Sequence, residues 1–141
     1  MGIYGWSYGG YMSAMCLAQY PDVFRAAVSG APVTEWEGYD TGYTERYMGL
    51  PLENPAGYRA ASVLTYAPRI RGRLLLVHGL LDENVHARHT MRLIGVLTES
   101  NVTYDLLLLP EERHVPRSKK TKDFVEARIR EFFHRTLKLR L

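Results

Sequence analysis

The run Leu74-Leu75-Leu76-Val77 constrains this chain more than any other feature, because four apolar residues without alternation do not suit a sheet with one wet face. Such a run is expected of a strand covered on both sides, which is the condition of a parallel sheet flanked by helices. A second apolar run over residues 103–109 ends at Pro110, and residues 86–97 between the two carry a helical apolar pattern. Strand, helix and strand in that order make a parallel crossover unit.

The flanking segments continue the alternation. Residues 8–20 read as a helix stopped by Pro21, with Met12, Met15, Cys16, Ala14 and Ala18 offering a close-packing face. Residues 25–29 read as a short buried strand closed by Ala31-Pro32, since proline cannot donate into a ladder. Residues 122–137 form an amphipathic helix, with Val125, Ile129, Phe132 and Phe133 on one face and Glu126/Arg130 and Glu131/Arg135 at i,i+4 spacing. Residues 33–70 are tyrosine-rich and broken by Pro51, Pro55 and Pro68, so an irregular connection is expected there. A connection of that length in a compact domain points to function or to inserted short helices. The expected fold class is α/β, with a parallel sheet and helices on both faces.

Composition narrows the function classes. With 46% apolar and 23% charged residues in 141, the chain can bury a core. Its net charge of +3 is scattered apart from residues 117–122 and the last helix, and no stacking motif accompanies it, so no nucleic-acid partner is expected. Cys16 is the one cysteine, which excludes an internal disulfide and a multi-cysteine metal site; its apolar surroundings predict a buried, inert thiol. No stretch reaches membrane-spanning length and no signal peptide precedes the first motif, so a cytoplasmic chain without membrane contact is expected. Position 6, where a myristoylation signal needs Ser or Thr, holds Trp6, and the Asn101-Val102-Thr103 sequon reads as part of a turn.

Gly5-Trp6-Ser7-Tyr8-Gly9 has the Gly-x-Ser-x-Gly form of a strand-to-helix turn that lifts a serine above a sheet. In a parallel sheet, functional groups gather at the carboxyl ends of the strands. Ser7, Asp82 and His114 each follow a predicted strand, and Ser, Asp, His is the chain order of a hydrolase triad. His114 would then take the serine proton, and Asp82 would hold the imidazole and stabilise its cation. Spacing does not separate Asp82 from its neighbour Glu83. His78 lies inside a strand, His86 and His89 begin a helix and His134 sits in the last one, so none stands on the loop after the final strand where the base belongs. For His78 and His89 a structural role is expected. The N–H of Tyr8 would supply one oxyanion-hole donor, with a second expected from the loop of an earlier strand.

The stretches GWSYGGY, APVTEWEGYDTGYTERYMGLP, HGLLDENVH and ERH resemble the catalytic domain of the dipeptidyl peptidase IV-like branch of the prolyl oligopeptidase family. DENVH and ERH are most similar to the dipeptidyl peptidase 8 and 9 group, and the resemblance covers nearly the whole chain. It implies Ser7 as nucleophile, Asp82 rather than Glu83 as the acid, and His114 as the base, with no cofactor or metal. It also implies a proline pocket made by Val33, Trp36, Tyr39, Tyr43, Val85 and the ring of Tyr8, with Asn84 orienting the substrate backbone. The implied substrate is a peptide with proline in the penultimate position, and two copies would pair through the hydrolase domain. The sequence after His114, VPRS, departs from the family, where glycine is common. The family places a β-propeller and the first half of the sheet ahead of the serine turn. The expectation is therefore the C-terminal part of an α/β-hydrolase fold lacking the N-terminal half of its sheet, inactive or poorly folded alone. An esterase or lipase of the same fold, and a non-catalytic interaction module, are the alternative readings.

Overall fold

The computed structural model describes residues 1–138. Four parallel strands, β1 (Gly2–Trp6), β2 (Ala26–Gly30), β3 (Arg73–Gly79) and β4 (Tyr104–Leu109), lie side by side in chain order. The register sets Trp6 beside Gly30, Gly30 beside Val77 and Gly79 beside Leu109, so the carboxyl ends line one rim of the sheet. Helices α1 (Tyr8–Gln19), α5 (Arg88–Glu99) and α6 (Lys119–Leu137) connect or follow these strands.

The apolar run of β3 is buried on both faces because successive side chains point opposite ways. Leu74 and Leu76 join Leu17 and Ala14 of α1 and Leu93 and Leu97 of α5 in one core. Leu75 and Val77 join Val125, Ile129 and Phe132 of α6 in a second core on the other face. The predicted two-sided layer is present. Two details of its helices differ from the sequence reading. Met12 points to solvent at 41% exposure and Cys16 is half-buried, while Ala14, Met15 and Ala18 pack into the core as read and Leu17 joins them. On α6, Glu131 pairs with Arg128, and Arg135 crosses to Asp105 on β4, whose other oxygen meets Arg73.

Residues 33–70 hold inserted short helices, one of the readings that such a connection allowed: α2 (Thr41–Met48), α3 (Pro55–Ala60) and α4 (Val63–Tyr66), with 3₁₀ turns at Trp36–Gly38 and Ala67–Arg69. Two of the three prolines that suggested breaks lie in first turns, Pro55 opening α3, where its missing N–H costs nothing, and Pro68 in Ala67–Arg69, whereas Pro51 stands in the turn after α2. Asp40 caps α2 by accepting from the Tyr43 N–H at 2.8 Å, and Asn54 caps α3 through the Gly57 N–H at 3.1 Å. These short helices roof the α1/α5 face through Tyr58, Val63 and Ala67. Among the described residues no helix is long and apolar enough to cross a membrane.

Buried polar ties fasten the insertion to the sheet layer. His89 on α5 donates through Nε2 to the Gly38 carbonyl at 3.1 Å, and its Nδ1 accepts from the Thr34 N–H at 3.2 Å. Burial lowers its pKa to about 4, with Arg88 adding to the effect. The unfolded imidazole, with an ordinary value of 6.5, takes a proton that the folded one refuses. This contribution is whole above pH 6.5 and is lost as pH falls toward 4, a difference on the order of 3 kcal/mol at about 1.4 kcal/mol per pH unit. Urea unfolding between pH 7.5 and 4 is expected to show this fall in the wild type and a flatter profile in His89→Gln.

Packing of α1 onto β2 depends on a contact that leaves no room for a side chain. A Cβ at Gly10 would meet the Gly30 carbonyl oxygen at 2.3 Å, backbone against backbone. Gly10→Ala is expected to destabilise the fold by about 1–3 kcal/mol, as overpacking does, and to lower the urea midpoint without changing the slope.

Candidate active site

Ser7 stands between β1 and α1 with φ 59° and ψ −118°, a conformation that L residues adopt at a cost of about 1–3 kcal/mol. Its N–H donates to the Gly30 carbonyl at 2.8 Å, which ties the turn to the end of β2. Gly5 makes the sharp bend possible, since a Cβ there would lie 2.2 Å from the Gly9 carbonyl oxygen. Gly9 itself faces open space. The crowding of the motif therefore falls on Gly5 and on Gly10, one position beyond its final glycine.

Asp82 follows β3 and is 3% exposed. Its Oδ1 accepts the N–H groups of Asn84 and Val85, both at 2.9 Å. Its Oδ2 lies 2.7 Å from Nδ1 of His114. A carboxylate has no proton to give, so Nδ1 carries the hydrogen and Nε2 is left bare. Nε2 is 2.9 Å from Ser7 Oγ, placed to accept the hydroxyl proton. Glu83, the neighbour that spacing could not exclude, turns outward to pair with Arg113. A hydrogen bond from its own backbone N–H and that of Arg113 hold its carboxyl below the usual range.

The loop bearing His114 is fixed from two sides. Trp6 Nε1 donates to the His114 carbonyl at 2.6 Å, and the Leu81 N–H donates to the Glu112 carbonyl at 3.0 Å. Pro116 is buried in the same loop. Trp6 was not singled out from the sequence, although its place beside Ser7 was the available cue. The Tyr8 N–H opens α1, where a helix leaves its first amides unpaired and its dipole favours negative charge.

Next to the serine lies a cavity of about 560 Å³ walled by Tyr8, Tyr11, Trp36, Tyr43, Tyr47 and Met48. Its rings hold one another: Trp36 stacks on Tyr43 with centroids 6.0 Å apart, and Tyr11 meets Trp36 edge-on at 5.1 Å. Tyr39 packs edge-on against both Trp36 and Tyr43, and its hydroxyl donates to Asn84 Oδ1 at 2.7 Å. Of the pocket residues implied by resemblance, Tyr8, Trp36 and Tyr43 line this cavity. Val33 and Val85 do not; at 2% and 0% exposure they lie in the core. The sequence reading missed Tyr11, Tyr47 and Met48 as lining residues. Tyr8 and Tyr11 stand at i,i+3, as do neighbours on one helix face, which was the signal for the first.

Residues 1–140 match the family model described as the prolyl oligopeptidase family. The chain is 48% identical over its whole length to dipeptidyl peptidase 8 of Mus musculus, of which it covers 16%. It is 43% identical over 80% of its length to venom dipeptidyl peptidase 4 of Apis mellifera, of which it covers 15%. Among solved structures, dipeptidyl peptidase 4 of Porphyromonas gingivalis superposes with a TM-score of 0.93 at 37% identity, over 96% of this chain and 19% of that one. The chain thus spans about a sixth of the length of the curated relatives it matches.

The two acidic neighbours are separable by experiment. Asp82→Asn is expected to slow fluorophosphonate modification of Ser7 by on the order of 10³–10⁴, the scale seen when a serine-protease triad is left with the wrong tautomer. Glu83→Gln, which changes only an exposed pair, is expected to stay within about threefold of wild type.

Proposed function

The chain belongs to the prolyl oligopeptidase family, and from that premise we propose that it carries the catalytic groups of a serine peptidase that releases dipeptides from peptides with proline in second position. The observation that carries this reading is the unbroken line from Ser7 Oγ to His114 Nε2 at 2.9 Å and from His114 Nδ1 to Asp82 Oδ2 at 2.7 Å.

His114 Nε2 takes the Ser7 proton as Oγ adds to the carbonyl carbon of the proline residue. The oxygen becomes an anion and takes the N–H of Tyr8 at the positive end of α1. The imidazolium is steadied by the Asp82 carboxylate and then gives its proton to the departing amine nitrogen. The C–N bond breaks and an ester remains on Ser7. Water repeats the sequence: it loses a proton to His114, attacks the ester, and the serine regains its proton as the dipeptide leaves. Proline suits the aromatic cavity because rings already braced by one another make a flat slot at small entropic cost. Asn84, oriented by Tyr39, is placed to hold the substrate backbone.

The chain acts, on this reading, as the C-terminal part of an α/β-hydrolase domain, and pairs with a second copy through it. Two features support the first part: the outer edge of β1 has no strand partner among the described residues, and the chain spans about a sixth of the length of its curated relatives. A reaction with the Tyr8 N–H as its one oxyanion donor is slower by on the order of 10²–10³ in turnover than one with two.

With the 141-residue chain, a fluorophosphonate probe is expected to modify Ser7 and to leave Ser7→Ala untouched. Gly-Pro-coumarin is expected to turn over slowly or not at all with the chain alone, and any turnover to exceed that of short acyl esters. Faster cleavage of esters without proline selects the esterase reading, and modification that persists in Ser7→Ala, or is absent from a wild-type chain shown to be folded by circular dichroism, overturns the proposal.

A further inference from the structure

His78 is the penultimate residue of β3, buried beneath the site, and the reaction sequence above makes no use of it. Both its ring nitrogens are engaged. Nε2 lies 2.8 Å from the Val85 carbonyl, an acceptor with no proton of its own, so Nε2 carries the hydrogen. Nδ1 is then bare and accepts from the Thr90 hydroxyl at 2.7 Å. Nε2 itself lies 3.3 Å from Asp82 Oδ2, the oxygen that faces His114.

We propose that His78 is a positioning residue for the triad, its Nε2–H shared between Val85 and Asp82 so that the carboxylate keeps one oxygen on His114. The proposal rests on the serine peptidase reading. Without that N–H, Asp82 Oδ2 keeps a single donor and can turn about its side-chain torsions, while the Val85 carbonyl loses its partner and the loop of residues 82–85 loses its tie to β3. The Val85 carbonyl, which can only accept, fixes the tautomer, and the Thr90 hydroxyl, free to donate, fills the bare Nδ1 and holds the ring in place. The ring stays uncharged because burial lowers its pKa. The charged and titratable groups around it are Asp82 and His114 on the loops after β3 and β4 and His89 on α5. An uncharged donor aims the carboxylate and leaves its full negative charge for the imidazolium of His114, whereas a cation there would cancel it.

The test compares His78→Leu, His78→Gln and Thr90→Val in the 141-residue chain, with two readouts. The first is the rate of fluorophosphonate modification of Ser7. The second is the far-downfield proton resonance of the His114 Nδ1–H, which reports its bond to Asp82 whether or not the chain turns over substrate. His78→Leu is expected to slow modification by about tenfold to a hundredfold, the effect of a small misplacement of a catalytic group, and to shift or broaden the resonance. His78→Gln keeps an N–H at the same reach and is expected to recover both to within about threefold. Thr90→Val is expected to fall between them, and it carries the test if His78→Leu does not fold. An unshifted resonance in folded His78→Leu or in Thr90→Val, with modification at the wild-type rate, overturns the proposal. If Ser7 is unreactive in the wild type, the peptidase reading fails separately and the resonance still decides the place of His78.

Discussion

The buried carboxylate of Asp82 is the contact through which the parts of the site are joined. Three strands and their loops meet at it: the β3 loop through two of its own backbone amides, the β4 loop through His114, and β1 through the serine that His114 faces. An ion so buried is stable only if its lone pairs are filled, and every donor near it is fixed by backbone or by a neighbouring ring. The parallel sheet makes this meeting possible. Its strands end together at one rim, so residues far apart in sequence reach one point without long excursions.

The strain at Ser7 is supported by the same economy of space. A positive φ at a non-glycine residue persists only where its surroundings over-determine it. Here the Ser7 amide is held by Gly30, the first turn of α1 lies directly on that carbonyl, and Ser29 Oγ donates to Gly10 O at 2.6 Å. The end of β2 therefore acts as an anvil for the turn, Gly30 meeting it with backbone alone and Ser29 adding one side-chain tie.

What could be read from sequence follows from how local each signal is. The apolar run of β3 and the stripe of α6 record burial directly, whereas that of β4 belongs to an edge strand on which only Leu109 is buried, and Ser7, Asp82 and His114 stood out because each follows a strand in a meaningful order. The bounds of the short helices in residues 33–70 were not legible because Pro55 marks a helix start as readily as a break, and because Asp40 and Asn54 become caps only when the chain turns above them. Val33 and Val85 were named from resemblance, yet their exposure depends on how tightly the core closes around them. His78 could not be ranked from its position in a strand, since its significance lies in which ring nitrogen holds the hydrogen, a fact set by the Val85 carbonyl.

The two tryptophans divide the site between them. Trp6 holds the carbonyl of His114, and Trp36 stands in the aromatic wall. Each indole is therefore an intrinsic fluorophore in contact with a different part of the site, one with the loop that carries His114 and one with the aromatic cavity. A chain keeping only Trp6 would report by its emission on the His114 loop, and one keeping only Trp36 on the contents of the cavity, so that the order of changes at the two places could be followed by light without any attached label.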